Sequence, residues 1–284
     1  MIYLYPMHHK TTILFGRKSL ILLLPVLFLL STCSDQITDS GPGNENGDGK
    51  GTGNGVPDRS GNLKGVGDSA HDLLSDENFG TLIVQIQYME GAEPTEDALA
   101  GLEVFLENRV HKSDIDLRVG DPISSGGKEK YTIQEIIDLE DDHRTEFNRS
   151  DTLAVYFLYV DGGSSQDQNG SYILGAAYRN TSMVIYQENI EEVSGGLGSP
   201  SLEDVETTVL NHEFGHVLGL VDVGTEMQAD HKDPNQERGS HCDNDSCLMH
   251  YTARTEGIAD LLIGGSVPEL DQNCINDLQA NDGR

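Results

Sequence analysis

Positive charge is scarce in this chain: 18 lysines and arginines stand against 48 aspartates and glutamates, a formal net charge of -30. Such a polyanion repels phosphate backbones and anionic lipid headgroups, which excludes a nucleic-acid partner. Long apolar runs are missing too. The best of them, residues 20–30, is interrupted by Pro25. Its length as a helix is about 16 Å, short of the ~20 residues that cross a bilayer. Cysteine is sparse, with four residues: Cys33, Cys242, Cys247 and Cys274. If the first has a separate use, three remain, and any disulfide among them leaves one thiol over.

The N-terminus carries a targeting pattern. Lys10, Arg17 and Lys18, with no acid in residues 1–32, flank the short apolar run, as in a signal peptide. The run ends Leu30-Ser31-Thr32-Cys33. This resembles the lipobox of bacterial lipoproteins, with Thr32 where glycine or alanine is usual. The resemblance implies that Cys33 becomes the lipidated first residue of an extracytoplasmic protein, held to an outer membrane or cell surface by lipid alone. Residues 33–78 then read as a tether, because residues 41–67 are rich in glycine, asparagine and aspartate and hold few large apolar side chains. Asn44, Asn46, Asp48 and Gly49 open like a calcium loop, but Gly55 occupies the twelfth position, where a bidentate glutamate is required.

The remaining domain, residues 79–284, alternates strand and helix patterns. Residues 81–88 and 114–119 read as strands, and residues 153–160 are a continuous apolar run typical of a strand buried on both faces. Residues 95–110 form a helix pattern capped by Thr95, with Leu99, Leu102, Phe105 and Leu106 inward. A second helix over 132–147 turns Ile133, Ile136, Ile137 and Leu139 inward, and residues 172–178 and 182–187 read as two further strands. His8, His9, His71, His111 and His143 have no partners at ligand spacing, and Asn148, Asn169 and Asn180 match N-x-S/T.

The chemistry concentrates at His212-Glu213-Phe214-Gly215-His216. On a helix, positions i and i+4 share a face, so both imidazoles can hold one metal ion, with Glu213 beside it as a base and not a ligand. Leu210, Phe214, Val217 and Leu218 lie on the other, apolar side. Ser201, answered by Asp204, caps the helix start, and Gly219 ends it.

With Gly219 and the downstream Met249, this run resembles the metzincin zinc peptidases, whose pattern is H-E-x-x-H-x-x-G-x-x-H followed by a methionine turn. The resemblance implies a mixed α/β (α+β) fold: a twisted mixed sheet, two backing helices and a zinc-binding helix. It implies a zinc-dependent endopeptidase in which Glu213 is general base to a zinc-activated water. Its partner is a peptide or protein substrate, and it acts as a monomer. Residues 173–178 would form the sheet edge along which substrate lies, unless their small side chains merely permit core packing.

Asp222 stands where the third histidine is usual. The run His241-Cys242-x4-Cys247-x-Met249 resembles the archaemetzincins instead, which makes residues 222–240 an insertion and His241 the third ligand. Asp222 and His231 stay open as alternatives. Met249 would floor the site, and Tyr251 would either aid the transition state or pack as an ordinary core tyrosine. Cys242, Cys247 and Cys274 with Asp271 would hold a second, structural zinc, or else two of the cysteines would pair. The rival to catalysis is a surface-binding lipoprotein on the same scaffold, which would have no use for Glu213.

Overall fold

The computed structural model describes residues 58–168, 170–194, 196, 198–251, 262 and 266–284. The signal peptide, Cys33, most of the tether and Asn169 lie outside the described residues. The described residues fall within one compact unit, Asn54–Arg284, and none of their helices is long and apolar enough to cross a membrane.

A five-stranded sheet runs in the order β2-β1-β4-β7-β6. Its strands are β1 (Thr81–Tyr88), β2 (Asp114–Val119), β4 (Thr152–Val160), β6 (Gly175–Arg179) and β7 (Ser182–Tyr186). All neighbours are parallel except β6, which runs antiparallel to β7 at the edge. A separate two-residue pair joins β3 (Lys130–Tyr131) to β5 (Gly163–Ser164). The helices are α1 (Ala70–Leu74), α2 (Glu96–Glu107), α3 (Ile133–His143), α4 (Gln187–Ser194), α5 (Leu202–Val217) and α6 (Gln272–Ala280). The fold is thus mixed α/β with a mostly parallel central sheet. β4 occupies the middle, and Leu153 to Val160 are all buried there.

Local chemistry fixes the helix starts. Thr95 Oγ1 accepts from Ala98 N, and Glu206 of α5 accepts from Thr95 N through both oxygens, at 3.1 and 3.2 Å. The cap of α2 therefore also locks that helix to α5. Thr132 and Glu135 close a capping box on α3, and Ser201 Oγ accepts from Asp204 N at 3.1 Å on α5.

Three readings change. Residues 58–78, assigned to the tether on composition, belong to the fold: Asn62 is buried, and Leu73 and Leu74 enter the core. Lys112 holds this segment, donating from Nζ to the carbonyls of Asp72, Ser75 and Phe79. Ile133 faces solvent, while Glu140 of the same helix is buried in its place. Glu140 pairs with Arg144 at 2.7 Å, both 1% exposed, and Arg144 reaches on to Ala154 O and Ser182 Oγ. An ionic clamp thus ties α3 to β4 and β7, beside Ile136, which is buried in the core as its spacing predicts, and Leu139, which packs against that core. Finally, residues 172–174 precede β6, since both backbone groups of Ile173 bond side chains: N to Asp167 and O to Asn189.

Candidate functional site

α5 presents His212 and His216 one turn apart, their rings 4.9 Å centre to centre. At its C-terminus Gly219 takes φ +76, where a Cβ would lie 2.7 Å from Thr225 N and 2.9 Å from Ala70 Cβ. Conformation and space both require glycine there. The chain then makes an excursion and returns through paired backbone. Asp233 N donates to His241 O, Asp243 N to His231 O, and Cys242 N to Met249 O, each at 2.8 Å. This pairing delivers His241 to the helix. Its ring lies 5.1 Å from that of His212 and 4.9 Å from that of His216, and one ligand atom from each of the three lies within 4.8 Å of the others.

The tautomers follow from the partners. His212 Nδ1 faces the Leu248 carbonyl at 2.7 Å, and His241 Nδ1 faces the Arg238 carbonyl. A carbonyl only accepts, so both Nδ1 atoms carry the proton and both Nε2 atoms are bare. Those two Nε2 atoms stand 3.2 Å apart. Two lone pairs so close repel unless a cation lies between them. Two ligands on a tetrahedral zinc at ordinary bond lengths stand about 3.3 Å apart, so the donor set fits that ion. Burial first, then the neighbouring imidazoles, pushes His212 down to about 3 and His216 well below its ordinary range; burial also lowers His241. All three are therefore neutral near pH 7, the form that binds metal.

Glu213 is buried beside them. Its Oε2 accepts from Ala177 N of β6 at 2.9 Å, and burial raises its pKa to about 7. A Cβ on Gly175 would lie 2.8 Å from Glu213 Cγ and 2.9 Å from Val209 Cγ1, so this glycine lets α5 pack against the edge strand. The cleft, about 290 Å³, is walled by β6 on one side and by His212, Glu213, His216 and His241 on the other.

Met249 is fully buried under α5. A Cβ on Gly215 would come within 2.3 Å of its sulfur. Tyr251 packs edge-on to His241, ring centres 5.1 Å apart, with Arg238 5.6 Å from its face. Asp222 is not in the histidine cluster: its carboxylate is exposed and bonds Lys232 at 3.3 Å.

His231 belongs to a second cluster, with Cys242, Cys274 and Asp271. Its Nε2 bonds Asp277 at 2.7 Å, while Nδ1 lies 3.4 Å from Cys242 Sγ and 4.0 Å from Cys274 Sγ. Cys247 Sγ lies 3.7 Å from that of Cys274 and accepts from the backbone nitrogens of Met249 and Asp271. All three cysteines are buried free thiols. Asp271 stays at the cluster as its spacing predicts: its Oδ2 lies 3.5 Å from Cys242 Sγ and also accepts from Asn244, while its Oδ1 accepts from Cys274 N. No spacing in the sequence joins His231 to the cysteines, and none marks the carbonyls of Leu248 and Arg238 that orient the histidines.

No protein-family model matches the sequence, and no curated protein matches it. Solved structures resemble it at a distance. An archaemetzincin from Methanopyrus kandleri is 15% identical, covering 71% of this chain and 96% of its own, with a TM-score of 0.46. A zinc-dependent peptidase from Methanocorpusculum labreanum is 14% identical over 69% of this chain and 99% of its own, TM-score 0.46. Metalloproteinase-II from Bacteroides fragilis is 13% identical over 73% and 55%, TM-score 0.40. Likenesses this distant do not fix a family.

Proposed function

We propose that this chain is a zinc-dependent endopeptidase. The observation that carries the reading is the pair of bare Nε2 atoms, His212 and His241, facing each other at 3.2 Å beside His216 and a buried Glu213. The three Nε2 atoms would hold the ion. Bound there, zinc supplies Lewis acidity, lowering the pKa of water and polarising a carbonyl oxygen. Glu213 does the proton work. The Ala177 N–H fixes its Oε2, leaving Oε1 to take a proton from the attacking water and deliver it to the departing nitrogen. β6 ends the sheet, and an extended peptide laid along it would pass the cluster. Metal analysis together with cleavage of a mixed-peptide library tests the reading. A zinc-loaded protein that cuts no peptide would overturn it.

We further propose that the protein is exported through residues 1–32, lipidated at Cys33 and spaced from its membrane by the segment that follows. Cys33→Ser is expected to leave the membrane fraction; a variant that sediments with membranes like wild type would remove the anchor. The cysteine cluster is proposed as a structural zinc site of Cys242, Cys247, Cys274 and His231, with Asp277 orienting the imidazole. Two zinc ions per chain are expected, falling to one in Cys274→Ser. One ion in wild type, with Cys247 and Cys274 joined on peptide mapping, would favour the disulfide.

A further inference from the structure

We propose that the turn at Gly65, Val66 and Gly67 is a fixed wall of the cleft, admitting an aliphatic substrate side chain and turning aromatic ones away. The inference rests on the peptidase reading. Val66 lines the same cavity as the three histidines, with Leu174 and Val209 completing an apolar surface. No sequence signal marks it, since it sits in the glycine-rich stretch that composition assigns to a tether.

The turn is braced on three sides. Asp68 closes it from within: Gly65 N donates to Asp68 Oδ2 at 2.8 Å, and Asp68 N donates to Gly65 O at 3.1 Å. Gly67 presses its backbone against the loop that follows α5. At φ +81 it is in glycine's region, and a Cβ there would lie 2.0 Å from Val223 O. A Cβ on Gly224 would likewise lie 2.4 Å from Gly67 O. The third brace is Asn180, fully buried in the β6–β7 turn. Its Oδ1 accepts from Lys64 N at 3.0 Å, its own N donates to Lys64 O at 3.2 Å, and its Nδ2 reaches Gly61 O and Ser69 Oγ.

A loop held by one contact can swing aside for a larger side chain; a turn held this way must exclude it by clash. The cavity is also small. At about 290 Å³ it sits at the lower end of ligand pockets, roughly 300 Å³ upward. The reacting groups share that space, so a side chain seated there meets Val66, Leu174 and Val209. Val66 is half-buried at the apex of the turn, so its substitution alters the cleft without opening the core.

The test compares zinc-loaded wild type, Val66→Gly and Val66→Phe. The probes are peptide hydroxamates whose side chain is of alanine, leucine or phenylalanine type. Binding is measured by calorimetry, and cleavage of peptides with the same three side chains by mass spectrometry. Wild type is expected to favour the leucine type over the phenylalanine type by at least roughly tenfold, the scale on which apolar pockets discriminate. Val66→Gly is expected to erase that preference, and Val66→Phe to weaken the leucine type by a similar factor with zinc content unchanged. A preference identical in all three proteins overturns the wall while leaving the peptidase reading intact. A zinc-loaded wild type that neither binds hydroxamates nor cuts peptides overturns both.

Discussion

Glu213→Gln is expected to keep its zinc and lose roughly 10²–10⁴-fold in peptide hydrolysis, the usual contribution of a positioned acid–base group. Glutamine has the same shape, and its amide oxygen can accept the Ala177 N–H bond that Oε2 accepts now. The β6–α5 contact at Gly175 should therefore survive. The histidines should be untouched, because carbonyls of Leu248 and Arg238 orient His212 and His241. What disappears is the capacity to take a proton and give it up again. Metal analysis and kcat/KM on any peptide the wild type cuts decide the matter. Undiminished hydrolysis would remove Glu213 from the mechanism, and a variant without zinc would make it a ligand. Burial already raises Glu213 to about 7, so removing its charge should not lower the melting temperature of the metal-free protein.

His241→Ala is expected to empty the histidine site on dialysis against a weak chelator, whereas Asp222→Ala should hold its metal. Losing a group that only orients a ligand typically costs about 10–100-fold in affinity; losing one of three ligands costs far more. Asp222 is poorly placed even for the lesser role. It lies in the left-handed region at φ 66, with its carboxylate exposed beside Lys232. His231→Ala separates the two clusters, leaving the histidine site filled and lowering total zinc by one. Metal loss in Asp222→Ala with retention in His241→Ala would reverse the assignment and restore the usual metzincin spacing.

The parts of the fold legible in the sequence are those set by local periodicity and caps. The bounds of β1 and β2 coincide with their hydrophobic patterns, and Thr95 and Ser201 cap as their spacing predicts. His212, Glu213 and His216 were legible for the same reason, since one helical turn fixes their mutual geometry. His241 was not decidable from spacing, because backbone pairing between residues 231–233 and 241–243 brings it to the helix. His231 went the same way, delivered by that pairing to the cysteines. α4 and α6 went unread, being short and largely polar. Residues 58–78 misled because glycine and asparagine, common in tethers, here serve a packed turn and buried bonds, from Asn62 to Ala154 O and from Asn180 to Gly61 O.

The two clusters share consecutive residues of backbone. His241 faces the helix while Cys242 faces the other cluster, and Leu248, whose carbonyl orients His212, lies between Cys247 and the buried Met249. An ion taken up by the sulfur cluster would therefore freeze the same peptide units that the imidazoles need held still. Whatever entropy the first binding event removes, the second no longer has to lose. Occupancy of the two sites would then be positively and reciprocally coupled. The histidine site of His231→Ala would then stay filled but hold its ion more weakly than in wild type, which a zinc titration of the two proteins reads.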